Sequence, residues 1–313
     1  MYGHKEIDQI IISIIINCYN GEEYLREAID SIYAQTYKNW EIIFWDNCST
    51  DNSSNIAKSF DHKIKYFKST ITTTLGEARN NAINKTNGKY ISFIDCDDIW
   101  SNPEKLSLQL KLMEENPEYA LCYGSIQEIF KSGLFFRNVY TNYDSAFIFD
   151  KLLMQFDISI ITSMVRKSVL IEQNLSFDSN IKASEEFCLF MQIACQYKIG
   201  VSREILAKYR VHQTSLTSKS LSILGAERRY TLNLIISKYP KLHQVYYNQF
   251  VESFARADYY DARWLVSNGE KILASKLLFK NKRVNYRYFL LGLIALFPNY
   301  FWNKIHLLKR NRT

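Results

Sequence analysis

The sequence predicts an α/β fold with a doubly wound, mostly parallel, Rossmann-like sheet, and three observations predict it. Strand-type runs alternate with helical stripes through the first hundred residues. The first run, "IIISIII" (Ile10 to Ile16), is almost wholly β-branched, as a strand buried on both faces of a parallel sheet requires. Polar groups also collect at successive strand ends: Asn20, then Asp46, then Asp95, Asp97 and Asp98. In open α/β sheets, ligands bind beyond the carboxyl ends of the strands.

Each element has its own signal. After "NCYNG", Asn20 is placed to cap a helix with Glu22 and Glu23 in its positive first turn. Leu25, Ala28, Ile29, Ile32 and Tyr33 form that helix's apolar stripe. "WEIIFW" (Trp40 to Trp45) is a second strand ending in "DNCSTDNS", and "IKYFK" (Ile64 to Lys68) is a third. A helix around "GEARNNAINKT" leads to the fourth strand, "KYISFID". Right-handed crossovers would join these strands. Beyond Pro103, "EKLSLQLKLMEENP" reads as a helix, and "YALCYGSIQEIF" and "GLFFRNVY" read as strands. "SIITSMVRKSVLIEQ" is a strand–helix pair, "ASEEFCLFMQIACQYKIG" an amphipathic helix, and "ILAKYRVH" a strand ending at His212.

From about Ser220 onward the pattern is helical, aromatic and increasingly basic, with "YYDARWLVSNGEKILASKLL" reading as a helix hairpin without a repeat. The expected boundary lies near residue 218. Residues 1–218 would form the α/β domain, in two halves, 1–100 and 101–218; 219–313 would form a helical, basic extension.

With 313 residues, 47% of them hydrophobic, the chain buries one large core or two ordinary ones. Its formal charge of +7 is unevenly placed, with ten Lys or Arg and no Asp or Glu from Lys271 onward. Such a segment suits an anionic surface. No nucleic-acid-binding motif accompanies it, so a nucleic-acid partner is not expected. Six scattered cysteines with no CxxC pair point to reduced thiols and a cytoplasmic setting. No targeting segment is expected, and "YFLLGLIALFPNYFW" (Tyr288 to Trp302) falls about five residues short of a bilayer span. Peripheral attachment to a cytoplasmic membrane face is the expectation instead.

The chemistry concentrates in "YISFIDCDDIW" (Tyr90 to Trp100). Carboxylates crowded at the mouth of a buried strand repel one another unless a cation sits among them or water reaches them. Asp95 and Asp97 in a D-x-D arrangement offer hard oxygens to Mg²⁺ or Mn²⁺, with coordination positions left for phosphate oxygens. The ordinary alternative is a solvated turn.

Three stretches together resemble the family 2 glycosyltransferases: "IINCYNGEEYLREAIDSIYAQTYKNWEIIFWDNCSTDNS", "GEARNNAINKTNGKYISFIDCDDIW" and "SEEFCLFMQIA". The resemblance covers Ile11 to Ser218, and it implies that 1–100 is the nucleotide-binding half and 101–218 the acceptor half. It implies a GT-A fold and an inverting, metal-dependent enzyme that uses a nucleotide-diphospho-sugar. Tyr19 and Asn20 would lie at the nucleotide, with Tyr19 against the base and Asp46 accepting from its ring N–H. Arg79 would contact the diphosphate, Asp95 would lie near the ribose or the metal's outer shell, and Asp97 would bind Mn²⁺ or Mg²⁺. His212 would complete the metal site, and Asp98, Trp100 and Glu185 would line the sugar or acceptor pocket. Glu186 would be the base, since a sugar hydroxyl is a poor nucleophile while it keeps its proton; by itself an acidic pair there merely suits a helix N-terminus. The chain departs from the family pattern at Asn47, Cys48 and Cys188.

The expected function is hexose transfer from a UDP-sugar to a glycan or a lipid-linked acceptor in surface-polysaccharide synthesis. A non-catalytic nucleotide-sugar-binding scaffold is the alternative. A phosphatase of the haloacid dehalogenase kind also places D-x-D after a buried strand, but there the motif usually opens the domain.

Overall fold

The structure, a computed structural model, describes residues 11–211, 220–298, 300 and 302. Its sheet contains β1 (Ile12–Cys18), β2 (Trp40–Asp46), β3 (Ile64–Lys68), β4 (Tyr90–Asp95), β5 (Tyr119–Phe130), β6 (Phe135–Val139), β7 (Met164–Arg166) and β8 (Lys198–Val211). The strand order is β3-β2-β1-β4-β7-β5-β6, with β8 paired to β5. β3, β2, β1 and β4 are mutually parallel, whereas β7 runs antiparallel to both β4 and β5. Helices α1 (Leu25–Tyr33), α2 (Ser53–Lys58) and α3 (Leu75–Ile83) make the crossovers among the first four strands. α4 (Lys105–Glu115), α5 (Phe149–Met154), α6 (Lys167–Glu172) and α7 (Glu185–Ala194) follow.

The chain leaves β1 toward β2 on one side and later returns with β4 on the other. That reversal opens a crevice at the β1/β4 carboxyl ends, the place where such sheets bind ligands. Every residue of β1 is buried, as its continuous apolar run requires. Of its polar residues, Ser13 is satisfied: its hydroxyl donates to Glu41 at 2.6 Å and accepts from the Gly88 N–H at 2.8 Å. Glu41 is buried too, and its carboxylate also takes the Asn87 N–H and an ion pair from Lys65 at 2.5 Å. A buried charge is tolerated because it is paired and hydrogen-bonded.

By contacts the chain divides into two compact units. The first comprises residues 11–148, 157–189 and 196–211, and the second residues 149–156, 190–195 and the described residues from 220 onward. The second is helical, adding α8 (Leu221–Lys238), α9 (Pro240–Val245), α10 (Tyr247–Ser267), α11 (Lys271–Lys280) and α12 (Tyr286–Ala295). The helix hairpin read from the sequence is α10–α11, turned by Gly269 at φ 81°. Its small core includes Ala262, Val266, Ala274, Leu278, Leu291 and Trp302. Gly225 on α8 lets α10 approach closely: a Cβ there would lie 2.7 Å from the Ala257 carbonyl.

One expectation fails locally. Asn20 does not cap α1; it has φ 52° and binds Thr50 instead, while Tyr24 occupies the cap position without a side-chain bond. Glu22 and Glu23 precede the helix, whose first-turn acid is Glu27.

A Cβ at Gly88 would lie 2.5 Å from the Ser13 amide nitrogen, a clash with strand backbone that no rotamer relieves. Gly88→Ala is expected to cost about 1–3 kcal/mol of stability, read as a lower denaturation midpoint at unchanged m-value.

Candidate active site

The fourth strand delivers Asp95 beside Asn17 of β1, at the mouth of the crevice. The chain turns at once, with the Asp98 N–H bonded to the Asp95 carbonyl at 3.2 Å. Arg210, near the end of β8, pins this acidic turn from below. Its backbone N–H donates to Asp98 Oδ1 at 2.7 Å, and its Nε donates to the Asp97 carbonyl at 2.9 Å. Its remaining nitrogens reach the Lys131 carbonyl and Glu27, at 3.2 and 2.7 Å. The guanidinium also lies over the Tyr24 ring at 4.2 Å.

Asp95 and Asp97 are half-buried, so both carboxylates border the crevice. Asp98 is buried beneath them. Burial first, then the nearby charges of Asp97 and Asp95, raise its pKa well above the carboxylate range. Its Oδ2 has no hydrogen-bond partner among the described residues. Asp98 therefore sits under the turn and is not a wall of an open sugar pocket. Trp100 is corrected in the same way: it is 3% exposed, and its indole N–H donates to the Ile161 carbonyl at 2.8 Å. The ammonium of Lys105 lies 3.9 Å from that ring's centroid, and burial lowers the lysine to about 7.

Arg79 is the largest departure from expectation. Its position on α3 buries it to 3% exposure, and both ends of its guanidinium are engaged by protein carboxylates. One nitrogen donates to Asp95 at 3.0 Å and another forms an ion pair with Glu185. The Phe177 ring backs the cation at 5.5 Å. Arg79 thus ties the end of β4 to the start of α7 and is not laid open to a diphosphate. Glu185, buried in that pair, is likewise no pocket wall.

Glu186 is the next residue along, in the first turn of α7. Burial, and then repulsion from Glu185, raise its pKa to about 8, against the pull of Arg79. A carboxyl group tuned close to neutrality is suited to exchanging protons with a bound hydroxyl. Cys188, one of the family departures, is fully buried two residues further on, where a thiol is cheaper to bury than a carboxylate.

On the other side of the crevice, Tyr19 is 56% exposed, which rejects a core role. Asp46 is fully buried. It accepts from the Ser49 N–H at 2.6 Å and from the Tyr66 hydroxyl at 2.5 Å, so it builds the turn and presents no oxygen to a base. Asn47 explains its own amidation: its Oδ1 accepts from the Thr73 N–H at 3.1 Å, while its Nδ2 donates to the Thr73 carbonyl at 2.9 Å. An aspartate could not make the second bond. Cys48 takes the left-handed backbone at φ 69°, held by its thiol on the Ser69 carbonyl at 3.1 Å. The buried Asn17 amide nitrogen finds no acceptor among the described residues.

Asp95, Arg79, Glu185 and Glu186 are thus brought together, as are Asp97 and Asp98. Tyr19 and Asn20 lie at the end of the neighbouring strand, and His212 lies outside the described residues. Arg210 was missed by sequence reasoning because an arginine near a strand end has no signature until β8 is seen to run beneath the acidic turn. Gly21 was missed too. A Cβ there would lie 2.8 Å from the Cys96 sulfur and 2.9 Å from that of Cys18, so only glycine lets both thiols approach.

For a divalent ion, Asp95 and Asp97 supply two hard oxygen donors. No group of three or more His, Cys, Asp or Glu side chains forms a protein-only cage among the described residues. Two carboxylates fit Mg²⁺ or Mn²⁺ when substrate phosphates complete the coordination.

Comparison with known proteins bears on the family and the fold. Residues 13–172, half of the chain, match the family model for Glycosyl transferase family 2. The chain belongs to that family. An uncharacterized glycosyltransferase of Rickettsia felis is 35% identical over 202 residues, 64% of this chain and 33% of that protein. The Escherichia coli UDP-Glc:alpha-D-GlcNAc-diphosphoundecaprenol beta-1,3-glucosyltransferase WfgD is 28% identical over 221 residues, 70% of this chain and 84% of that one. This family 2 chain spans only about a third of the length of its first Rickettsia relatives, 33%, 38% and 29%. Among solved structures, S. aureus TarS 1-349 in complex with UDP-GlcNAc superposes with a TM-score of 0.63 at 15% identity, covering 90% of each chain. The mannosyltransferase PcManGT of Pyrobaculum calidifontis, in complex with GDP-Man and Mn²⁺, gives 0.58 at 16%, covering 91% and 85%. The fold is GT-A, as the sequence led us to expect.

Removing Arg79 would leave Asp95 and Glu185 without their shared counter-charge. Arg79→Met is expected to cost about 3–5 kcal/mol even without ligand, measured by denaturant unfolding, whereas loss of a ligand contact alone would leave stability unchanged. Glu186 generates a pH-dependent prediction. Its folded pKa of about 8 exceeds the ordinary 4.5 of a glutamate, so the folded state binds the extra proton between those limits. Its contribution to stability is full below 4.5 and lost as pH rises through about 8. The Tm advantage of Glu186→Gln over the parent should therefore grow from near zero at the acid end of that window to its maximum above it.

Proposed function

We propose that the protein is an inverting glycosyltransferase. It transfers a hexose from a nucleotide-diphospho-sugar, a UDP-sugar by its likeness to proteins named for UDP-linked donors, to a hydroxyl of a glycan or lipid-linked oligosaccharide. The observation that carries the reading is Glu186. It is held at near-neutral pKa on the helix that Arg79 ties to the D-x-D strand end.

In this reading the exposed Tyr19 ring stacks on the base, and Asn20 and the Asn17 amide offer polar contacts to the nucleotide. Arg79 acts through its neighbours: it fixes Asp95 and Glu185, and so the first turn of α7. Arg210 holds the backbone of Asp97 and Asp98 at the crevice floor. A divalent ion held by Asp97 with Asp95, and by His212, would neutralise charge growing on the leaving diphosphate. Glu186 takes the proton from the acceptor hydroxyl as that oxygen attacks the anomeric carbon from the face opposite the diphosphate. Inversion follows from that single displacement. WfgD's name describes a diphosphoundecaprenol acceptor, which supports a lipid-linked acceptor and work at a cytoplasmic membrane face.

The test begins with thermal unfolding in UDP, GDP, dTDP or CDP, each with Mn²⁺ or EDTA. A nucleotide at about a hundred times its Kd should add about 2.7 kcal/mol of stability. A metal-dependent shift with UDP supports the donor site; no shift with any nucleotide would overturn it. Glu186→Gln should retain the nucleotide shift and lose turnover. Persistent turnover in that variant would remove Glu186 as the base. In the parent, the basic form of Glu186 accumulates with rising pH, so kcat should climb toward a plateau above about pH 8.

A further inference from the structure

We infer that α12 carries a docking surface for an anionic lipid bilayer. The helix is apolar on two faces. Tyr288, Leu291, Gly292 and Ala295, spaced three and four residues apart, are buried within the helical unit. Tyr286, Phe289, Leu290, Leu293 and Leu296 repeat the same spacing on another face, and all five are exposed, from 39% at Leu293 to 69% at Tyr286. A helix of a water-soluble surface carries polar residues at such positions, so this exposed stripe calls for a partner.

Charge identifies the partner. From Lys271 onward the sequence has ten Lys or Arg and no Asp or Glu. Lys276, Lys282, Arg283 and Arg287 make no salt bridge with a described carboxylate; Lys280 approaches Asp258 at 3.7 Å. A second copy of this face would set those cations against an identical set with no acid to meet them, which opposes self-association. An apolar stripe bordered by cations is complementary to acyl chains beneath anionic headgroups, and aromatic rings such as Tyr286 and Phe289 suit the interfacial layer. No described helix is long and apolar enough to cross a membrane, so the geometry is that of a helix lying in the interface.

The inference does not rest on the donor-site reading, and its test reads lipid binding alone. The full chain is mixed with vesicles of phosphatidylcholine, or of phosphatidylcholine with about a third phosphatidylglycerol, and the bound fraction is measured by flotation. Binding should be at least about tenfold tighter to the anionic vesicles and should weaken at high salt. Leu290→Glu/Leu293→Glu alters two exposed positions, so it should keep its fold, checked by unchanged Tm, and lose vesicle binding. A charge variant, Lys282→Glu/Arg283→Glu, should reduce binding to anionic vesicles toward the zwitterionic level. Absence of vesicle binding by the parent chain overturns the proposal, as does equal binding by the parent and the folded leucine variant. Concentration-dependent dimerisation that the leucine variant abolishes, with no lipid binding, would assign the face to a second copy instead.

Discussion

The guanidinium of Arg79 is the interaction on which the candidate site depends. Asp95 belongs to β4 and Glu185 to α7, 90 positions apart in the numbering, and one buried cation joins them. Three acidic side chains, Asp95, Glu185 and Glu186, surround the buried Arg79 guanidinium and favour its charged form. Burial of such a pair is a weak source of net stability, since desolvation offsets most of the attraction. Its consequence is positional: the first turn of α7 cannot move without separating a buried charge from its partner.

A second arginine performs a related task on the opposite side of the acidic turn. Arg210 binds the backbone around Asp97 and Asp98 and reaches Glu27 of α1, so the turn is held by two elements distant in sequence. Beneath it, burial and then the nearby charges of Asp97 and Asp95 raise the pKa of Asp98. Of the acidic residues in this segment, the half-buried Asp95 and Asp97 border the crevice while Asp98 supports the turn from inside. This division of labour concentrates negative charge where a cation is useful and removes it where a cation has no access.

The departures from the family pattern also have physical accounts here. Asn47 acts as both donor and acceptor toward Thr73, and a carboxylate accepts only. Cys188 occupies a fully buried helix position. Cys48 holds a left-handed backbone with its thiol on a carbonyl. Each replaces a group that would have to be charged or flexible by one that closes a local hydrogen bond or packs in the core.

Much of the fold was legible because its signals are local. The β-branched run of β1, the helical stripe of α1 and the boundaries of β3 and β5 follow from periodicity, and the polar residues at the ends of β1, β2 and β4 mark the crevice. Side-chain assignment was less legible. Asp46 ends a strand and Trp100 came with the family resemblance, so both read as ligand-facing, but a side chain near a strand end can turn outward or inward, and packing decides which. Asn20 had the right residue type for a cap and the wrong backbone conformation for one. Arg79 read as a ligand contact because only the fold reveals that two carboxylates from distant elements reach it first. The sequence by itself determined the alternation of elements and where the acidic residues gather, since both depend on neighbours in the chain. Tertiary structure alone decided which charges are spent on one another and which face the crevice, because a charge takes the nearest partner in space.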